Sequence, residues 1–201
     1  MSVLVDHEIT ALCDEKLAQP MISPFVDTPT REVDGERVVS FGVTSAGYDA
    51  RLSGRFQIFK SREDLSIGVH DPLDPLDPNG MNKYMLNDTI EAKSIILPPG
   101  GYLLGHTVEY FHIPRNVIAI CVGKSTYARL GLVVNVTPLE PEWHGEVVIE
   151  MHNATHLPIR VHAHQGICQF VFHKTHDICK TSYADKGGKY QGQKGITHAR
   201  L

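Results

Sequence analysis

The chain has 201 residues, of which 42% are apolar and 21% charged, and its formal net charge is −4. That length suits one domain with a sizeable core, and the composition excludes a disordered, fibrous or collagen-like protein. The negative balance gives no bulk electrostatic reason to expect nucleic acid, whereas a phosphate-bearing small molecule needs only a few local cations.

No apolar run approaches the roughly 18 residues of a membrane span. Residues Met1 to Glu8 place no cationic stretch ahead of an apolar one, so they lack the signal-peptide pattern. The four cysteines, Cys13, Cys121, Cys168 and Cys179, form no CxxC pair. They predict reduced thiols and a cytoplasmic protein.

In chain order, Asp6 is placed to cap a helix whose apolar positions Ile9, Leu12, Cys13 and Leu17 recur at helical spacing, with Pro20 as the stop. This predicts an N-terminal helix within residues 1–20. Short apolar, β-branched runs then follow at Val38 to Phe41, Phe56 to Phe59, Ser94 to Leu97, Val117 to Val122 and Leu132 to Val136. Three more stand at Val147 to Met151, Pro158 to Val161 and Ile167 to Phe172. Gly and Pro punctuate them, as at Pro98 to Gly101, Pro114, Pro138, Pro141, Gly145 and Gly166. Short strands between such turn signals predict one all-β domain with minor helices, a distorted barrel or jelly roll spanning 1–201.

Residues 71–78 repeat an Asp-Pro pattern that neither a helix nor a central strand tolerates, which predicts an exposed loop over 71–80. A cation site built from Asp71, Asp74 and Asp77 is the sharper alternative. The polar, Gly-rich stretch 184–201 has the composition of a mobile tail, and equally of a lid closing over a ligand.

Three constellations could carry chemistry. Gly123-Lys124-Ser125-Thr126 follows a strand, where N–H groups, hydroxyls and a cation can converge on phosphate. It lacks the upstream Gly of a Walker A loop, and a capped helix with a solvated Lys fits the spacing as well. In Glu146 to His152, alternation puts Val147, Ile149 and Met151 on one face and Val148, Glu150 and His152 on the other. A carboxylate on such a strand is either at an exposed edge or held in a site that tunes it as a proton shuttle. The twelve histidines include His144-Gly145-Glu146, the H-x-E half of a zinc deaminase signature. The P-C-x-x-C half is absent, which argues against catalytic zinc.

These residues also carry a resemblance. The run Gly123 to Gly131, continuing through Asn135 to Trp143 and on to Glu150, is similar to the central block of bacterial dCTP deaminases. Further matches lie at Met21 to Asp27, Ser45 to Arg51, Thr107 to Phe111, Gly166 to Gln169 and Lys189 to Gln193, so that the likeness covers nearly the whole chain in order.

The resemblance implies a dUTPase-like barrel assembled as a homotrimer with active sites between subunits, converting dCTP and water to dUTP and ammonia. By motif position, Glu150 is the general base, Arg129 pairs with it, and Ser125 positions the water and stabilises the tetrahedral intermediate. Lys124, Ser125 and Thr126, within the run that includes Tyr127 and Ala128, are placed on phosphates. The backbone of Val148, Ile149 and Glu150 is placed on the cytosine edge. Glu140 falls near the sugar, and Gln169, Tyr183, Lys189 and Gln193 fall mostly on the triphosphate. The family works without zinc, magnesium enters only as counter-ion of the triphosphate, and dTTP is a candidate inhibitor.

Two departures stand out: Asn135-Val136-Thr137-Pro138 ahead of Glu140, and Met151-His152 after Glu150. The sequence leaves open preference for a substituted cytosine. It also leaves open a bifunctional deaminase that carries dUTP on to dUMP and pyrophosphate, a plain dUTPase, and a nucleotide-binding sensor without turnover. No role in binding nucleic acid or membrane is expected.

Overall fold

The computed structural model describes residues 2–59 and 89–200, so the Asp-Pro repeat at 71–78 and the cation alternative there lie outside the described residues. The chain order is β1 (Ser2–Val3), α1 (Asp6–Leu12), β2 (Ile22–Ser23), β3 (Thr30–Val33), β4 (Glu36–Thr44), β5 (Gly47–Arg51) and β6 (Arg55–Ile58). It continues with β7 (Ile90–Glu91), β8 (Ser94–Leu97), β9 (Tyr102–His112), β10 (Val117–Gly123) and α2 (Ser125–Ala128). The last strands are β11 (Leu132–Asn135), β12 (His144–Asn153), β13 (Ile159–His162) and β14 (Gly166–Lys174). The all-β reading with minor helices holds. Among the described residues no helix is long and apolar enough to cross a membrane.

One sheet runs β1-β14-β5-β4-β3, with β10 also on β14, and the other runs β11-β12-β9-β6-β7, with β2 also on β9. A separate antiparallel pair joins β13 to β8. The inner faces of the two large sheets meet in one core, where Phe111 of β9 packs on Phe170 of β14 with ring centroids 4.7 Å apart. Strand alternation explains which residues reach it: on β12, Val147, Ile149 and Met151 are buried. Each such side chain contributes roughly 1.5–3 kcal/mol of transfer free energy.

The N-terminal helix is shorter than its spacing predicts. It ends at Leu12, its N-cap is Val5 rather than Asp6, and Asp6 is its first residue. The Val5 N–H is taken by the Glu8 carboxylate at 3.0 Å, while Asp6 accepts from the His7 N–H at 2.7 Å. Past Cys13 the chain folds into turns around Asp14, which lets the Met21 N–H reach the Leu12 carbonyl at 2.7 Å and Ile22 join β9. Leu17 therefore lies beyond the helix and is exposed. All four cysteines are free thiols; Cys13 and Cys168 are buried, while Cys121 and Cys179 are partly exposed.

The longest strand among the described residues, β9, has no counterpart among the predicted apolar runs. It buries His106, Thr107 and Glu109 inside the fold. Glu109 is fully enclosed and is matched by Arg51 of β5, whose Nε donates at 2.7 Å and whose N–H donates at 2.9 Å. The Tyr48 hydroxyl donates at 3.3 Å, and the Phe41 ring lies 5.1 Å from the Arg51 guanidinium. Burial pushes the Glu109 carboxyl up, and Arg51 pulls it back toward ionisation. The pair locks β9 of one sheet to β5 of the other. Glu109→Ala leaves Arg51 uncompensated and is expected to cost roughly 3–5 kcal/mol, measured as a lower urea midpoint with an unchanged slope.

Candidate active site

Glu150 sits mid-strand on β12, opposite Asn135 of β11 and Leu104 of β9. Its neighbours Ile149 and Met151 are in the core, so the two-residue period turns Glu150 to the other face. There it lines a cavity of about 310 Å³ with Tyr102, Phe59, Val148, Trp143 and Tyr183. Small-molecule sites usually begin near that volume, about 300 Å³. Burial pushes the Glu150 carboxyl up to about 7, with a backbone hydrogen bond pulling slightly the other way. The Tyr102 phenol is raised too, first by burial and then by the charge of Glu150. A carboxyl poised near neutrality in a cavity can both accept and return a proton.

The C-terminal segment closes one side of this cavity. Gln193 pairs in parallel with Gly145, and Gly192 donates its N–H to the His144 carbonyl at 2.8 Å. A Cβ on Gly145 would meet the Gln193 carbonyl at 3.0 Å, and its φ of 152° strains other residues, so glycine favours the close approach of the tail. The tail is held at its start by Arg115, which bonds Glu142 at 2.5 Å and Asp185 at 2.7 Å. The Tyr183 hydroxyl accepts from the Tyr190 N–H at 3.1 Å, and both rings line the cavity.

The Lys124–Arg129 segment lies elsewhere in the subunit. Lys124 is buried and its ammonium is paired with Asp49. Ser125, Thr126, Ala128 and Arg129 are exposed on and beside α2. Tyr127 turns into the core, where its hydroxyl accepts the His162 N–H at 3.0 Å. Thr126 and Arg129 line a second hollow with Leu130, Thr155 and His162. Among the described residues, no ion pair joins Arg129 to Glu150 within one chain. Gly131 turns the chain from α2 into β11 at φ 84°, a conformation that favours glycine.

Other sequence-predicted residues scatter. Gln169 donates to the Thr44 hydroxyl at 3.1 Å and stands opposite Asp49 on β5. Glu140 pairs with Lys186 at 3.1 Å. The exposed Lys189 bonds the Arg200 carbonyl at 2.6 Å. Ile149 is wholly core, so only its backbone is open to a ligand. The structure thus gathers Glu150, Val148, Tyr183 and Gln193 in one cavity, and leaves Thr126 and Arg129 in another hollow and Ser125 exposed on α2.

The family model described as "dCTP deaminase-like" matches residues 3–175. The chain belongs to the dCTP deaminase-like family. It is 49% identical over 179 residues to a dCTP deaminase of Rickettsia akari, covering 89% of this chain and 90% of the relative. It is 47% identical over 201 residues to a dCTP deaminase of Granulibacter bethesdensis, covering the whole of both. A solved 2'-deoxycytidine 5'-triphosphate deaminase from Agrobacterium tumefaciens shares the fold at a TM-score of 0.58 and 17% identity, covering 87% of this chain and 48% of that one.

Within this deaminase-like chain, the sequence reading missed Asp49, Tyr102, and the pair His106–Glu146. Asp49 lies inside the Ser45 to Arg51 match but forecasts no contact with Lys124, 75 positions away. His144 and Glu146 of the H-x-E fragment do not point to a shared ligand. His144 Nδ1 is 2.6 Å from the Tyr110 hydroxyl, while Glu146 Oε2 is 3.1 Å from His106 Nδ1. Among the described residues, no group of three or more His, Cys, Asp or Glu converges to hold a metal ion. Tyr127→Phe removes the acceptor of the half-buried His162 N–H and is expected to cost about 1 kcal/mol while leaving nucleotide affinity unchanged. Urea unfolding and calorimetric titration with nucleotide check the two halves.

Proposed function

We propose that this chain is a dCTP deaminase, hydrolysing dCTP to dUTP and ammonia. The observation that carries the reading is Glu150, a carboxyl raised to about 7 on the wall of a cavity closed by the C-terminal segment. In this mechanism the ionised Glu150 takes a proton from water as the oxygen attacks C4 of cytosine. Glu150 passes that proton to N3, then carries the proton of the new C4 hydroxyl to the amino group, so that the tetrahedral intermediate collapses to the C4 carbonyl as ammonia leaves. One water is consumed and one ammonia released.

Arg129 and Ser125 are assigned to the same reaction from a neighbouring subunit of a homotrimer. Two observations support this: the two halves of the site lie apart within one chain, and apolar residues are uncovered beside α2. Val122, Leu130 and Val133 are 43%, 56% and 51% exposed, a surface suited to burial between copies. There the Arg129 guanidinium faces Glu150 and favours its charged form, while the Ser125 hydroxyl holds the water and the developing oxyanion. Lys124 and Thr126 act with the phosphates through the loop that carries them. Gln193, Tyr183, Lys189 and Gln169 complete the triphosphate and sugar side together with Glu140. Magnesium is part of the substrate, bound to the triphosphate, and the enzyme works in the cytoplasm.

Purified protein given dCTP and magnesium is expected to release ammonia and dUTP without pyrophosphate. Pyrophosphate alongside ammonia marks a bifunctional enzyme, and binding without either product removes the enzymatic reading. Glu150→Gln and Arg129→Met should each lose deamination by about 100-fold or more. Refolding the two variants together should restore part of the activity, because some mixed interfaces then carry an intact Glu150 and an intact Arg129. No recovery would place both residues in one chain's site.

The pH profile supplies a separate check. Glu150 acts when ionised, so kcat/KM falls as pH drops through its pKa. Removing the neighbouring cation by Arg129→Met leaves burial as the dominant effect and moves that acid limb upward, toward about 7. An acid limb that stays in place shows that Arg129 does not face Glu150.

A further inference from the structure

The C-terminal segment is fastened through a residue of β12 that the deamination chemistry does not use. The Glu146 N–H donates to the Gln193 carbonyl at 3.0 Å, and the Glu146 carbonyl accepts from Gln193 Nε2 at 2.8 Å. Its carboxylate oxygen Oε2 accepts the Gly195 N–H at 2.5 Å. Three hydrogen bonds from one residue therefore hold two residues of the tail. Beyond this grip, the tail supplies Thr197, His198 and Ala199 to the wall of the Glu150 cavity, and His198 Nε2 lies 2.7 Å from Gln57 Oε1.

The carboxylate is itself aimed. A register shift between Glu146 and Val148 places His106, opposite Val148, beside Glu146. Thr107 fills the broken ladder there, its hydroxyl accepting the Val147 N–H at 2.9 Å. His106 Nδ1 lies 3.1 Å from Glu146 Oε2 and 3.0 Å from the Thr107 carbonyl. Both neighbours are acceptors, so the ring hydrogen sits on Nδ1. Nε2 is buried without a hydrogen-bond partner among the described residues. A bare lone pair is tolerated there, whereas a second N–H would be an unpaired buried donor. Burial, with Arg55 adding to it, accordingly holds the imidazole below its ordinary pKa against the pull of Glu146. A neutral His106 can only donate through Nδ1, and that fixes the carboxylate where Gly195 meets it.

We infer that Glu146 is the positioning residue that fastens the C-terminal segment over the Glu150 cavity, with His106 as the donor that orients its carboxylate. The inference rests on reading that cavity as the deamination site. Glu146 touches no reacting atom; it acts through Gln193 and Gly195.

The experiment compares Glu146→Ala and Glu146→Gln in the full-length protein by two readouts. One is trypsin cleavage after the exposed Lys194, followed by mass spectrometry without nucleotide; the other is the KM and kcat for dCTP. Glu146→Ala is expected to speed the Lys194 cut about tenfold and raise KM about tenfold, with kcat changed less, as fits the loss of a charged hydrogen bond. Glu146→Gln keeps an acceptor for Gly195 and His106 and should restore both values to within about threefold of the parent. Equal cleavage rates in Glu146→Ala and parent overturn the inference, as does failure of Gln to rescue. Cleavage that follows the expected order in a protein inert toward dCTP keeps the fastening role and removes the deaminase reading instead.

Discussion

The placement of β12 between β9 and β11 is the constraint on which the rest of the structure depends. A strand has only two faces, and here one is wholly committed: Val147, Ile149 and Met151 are driven out of water into the core shared by the two sheets. That commitment fixes where Glu150 goes, without any specific contact to Glu150 itself. A slip of one residue in the pairing with β9 would bury the carboxylate and expose the core set, a penalty of several kcal/mol. The site is therefore held in register largely by apolar residues committed to the core.

The same fold treats three glutamates in three ways, and the difference is their partners. Glu109 is fully buried but matched by Arg51, so its charge serves to tie the sheets together. Glu146 is partly buried and surrounded by donors, His106 and the Gly195 N–H, which suits a fixed anion. Glu150 is half-buried with no ion pair among the described residues, and burial lifts its carboxyl to about 7. Paired carboxylates hold structure; the one left short of a partner is the one poised to exchange a proton. Arg129, the cation proposed to face it, lies outside the Glu150 cavity and beside uncovered apolar side chains. The homotrimer proposed above would cover the apolar surface and bring a guanidinium to each carboxylate.

Much of the architecture was legible in the sequence because it depends on short-range periodicity. The runs at Val117 to Val122, Leu132 to Val136 and Ile167 to Phe172 became β10, β11 and β14, shifted by a residue or two at their ends. Polar residues hid the rest. β9 carries His106, Thr107 and Glu109 in its interior, and each breaks an apolar run that would otherwise have marked the strand. The helical spacing that extended α1 to Leu17 failed for a related reason. Leu17 lies past a turn at Asp14, and helical spacing alone does not show where a helix stops.

The sequence by itself determined the strand-rich class, the inward and outward faces of β12, the glycine-rich composition of the tail and the block from Gly123 to Glu150 that marks the family. These follow from residue order, because backbone period and turn chemistry act over a few positions. Tertiary structure alone decided that Lys124 meets Asp49, that Tyr127 turns inward to His162, and that Glu146 grips Gln193 and Gly195. It also decided that burial moves Glu150 toward neutrality. Burial, dielectric environment and hydrogen-bond partners are set by groups tens of residues away, and no local pattern records which distant segment will fold against a given side chain.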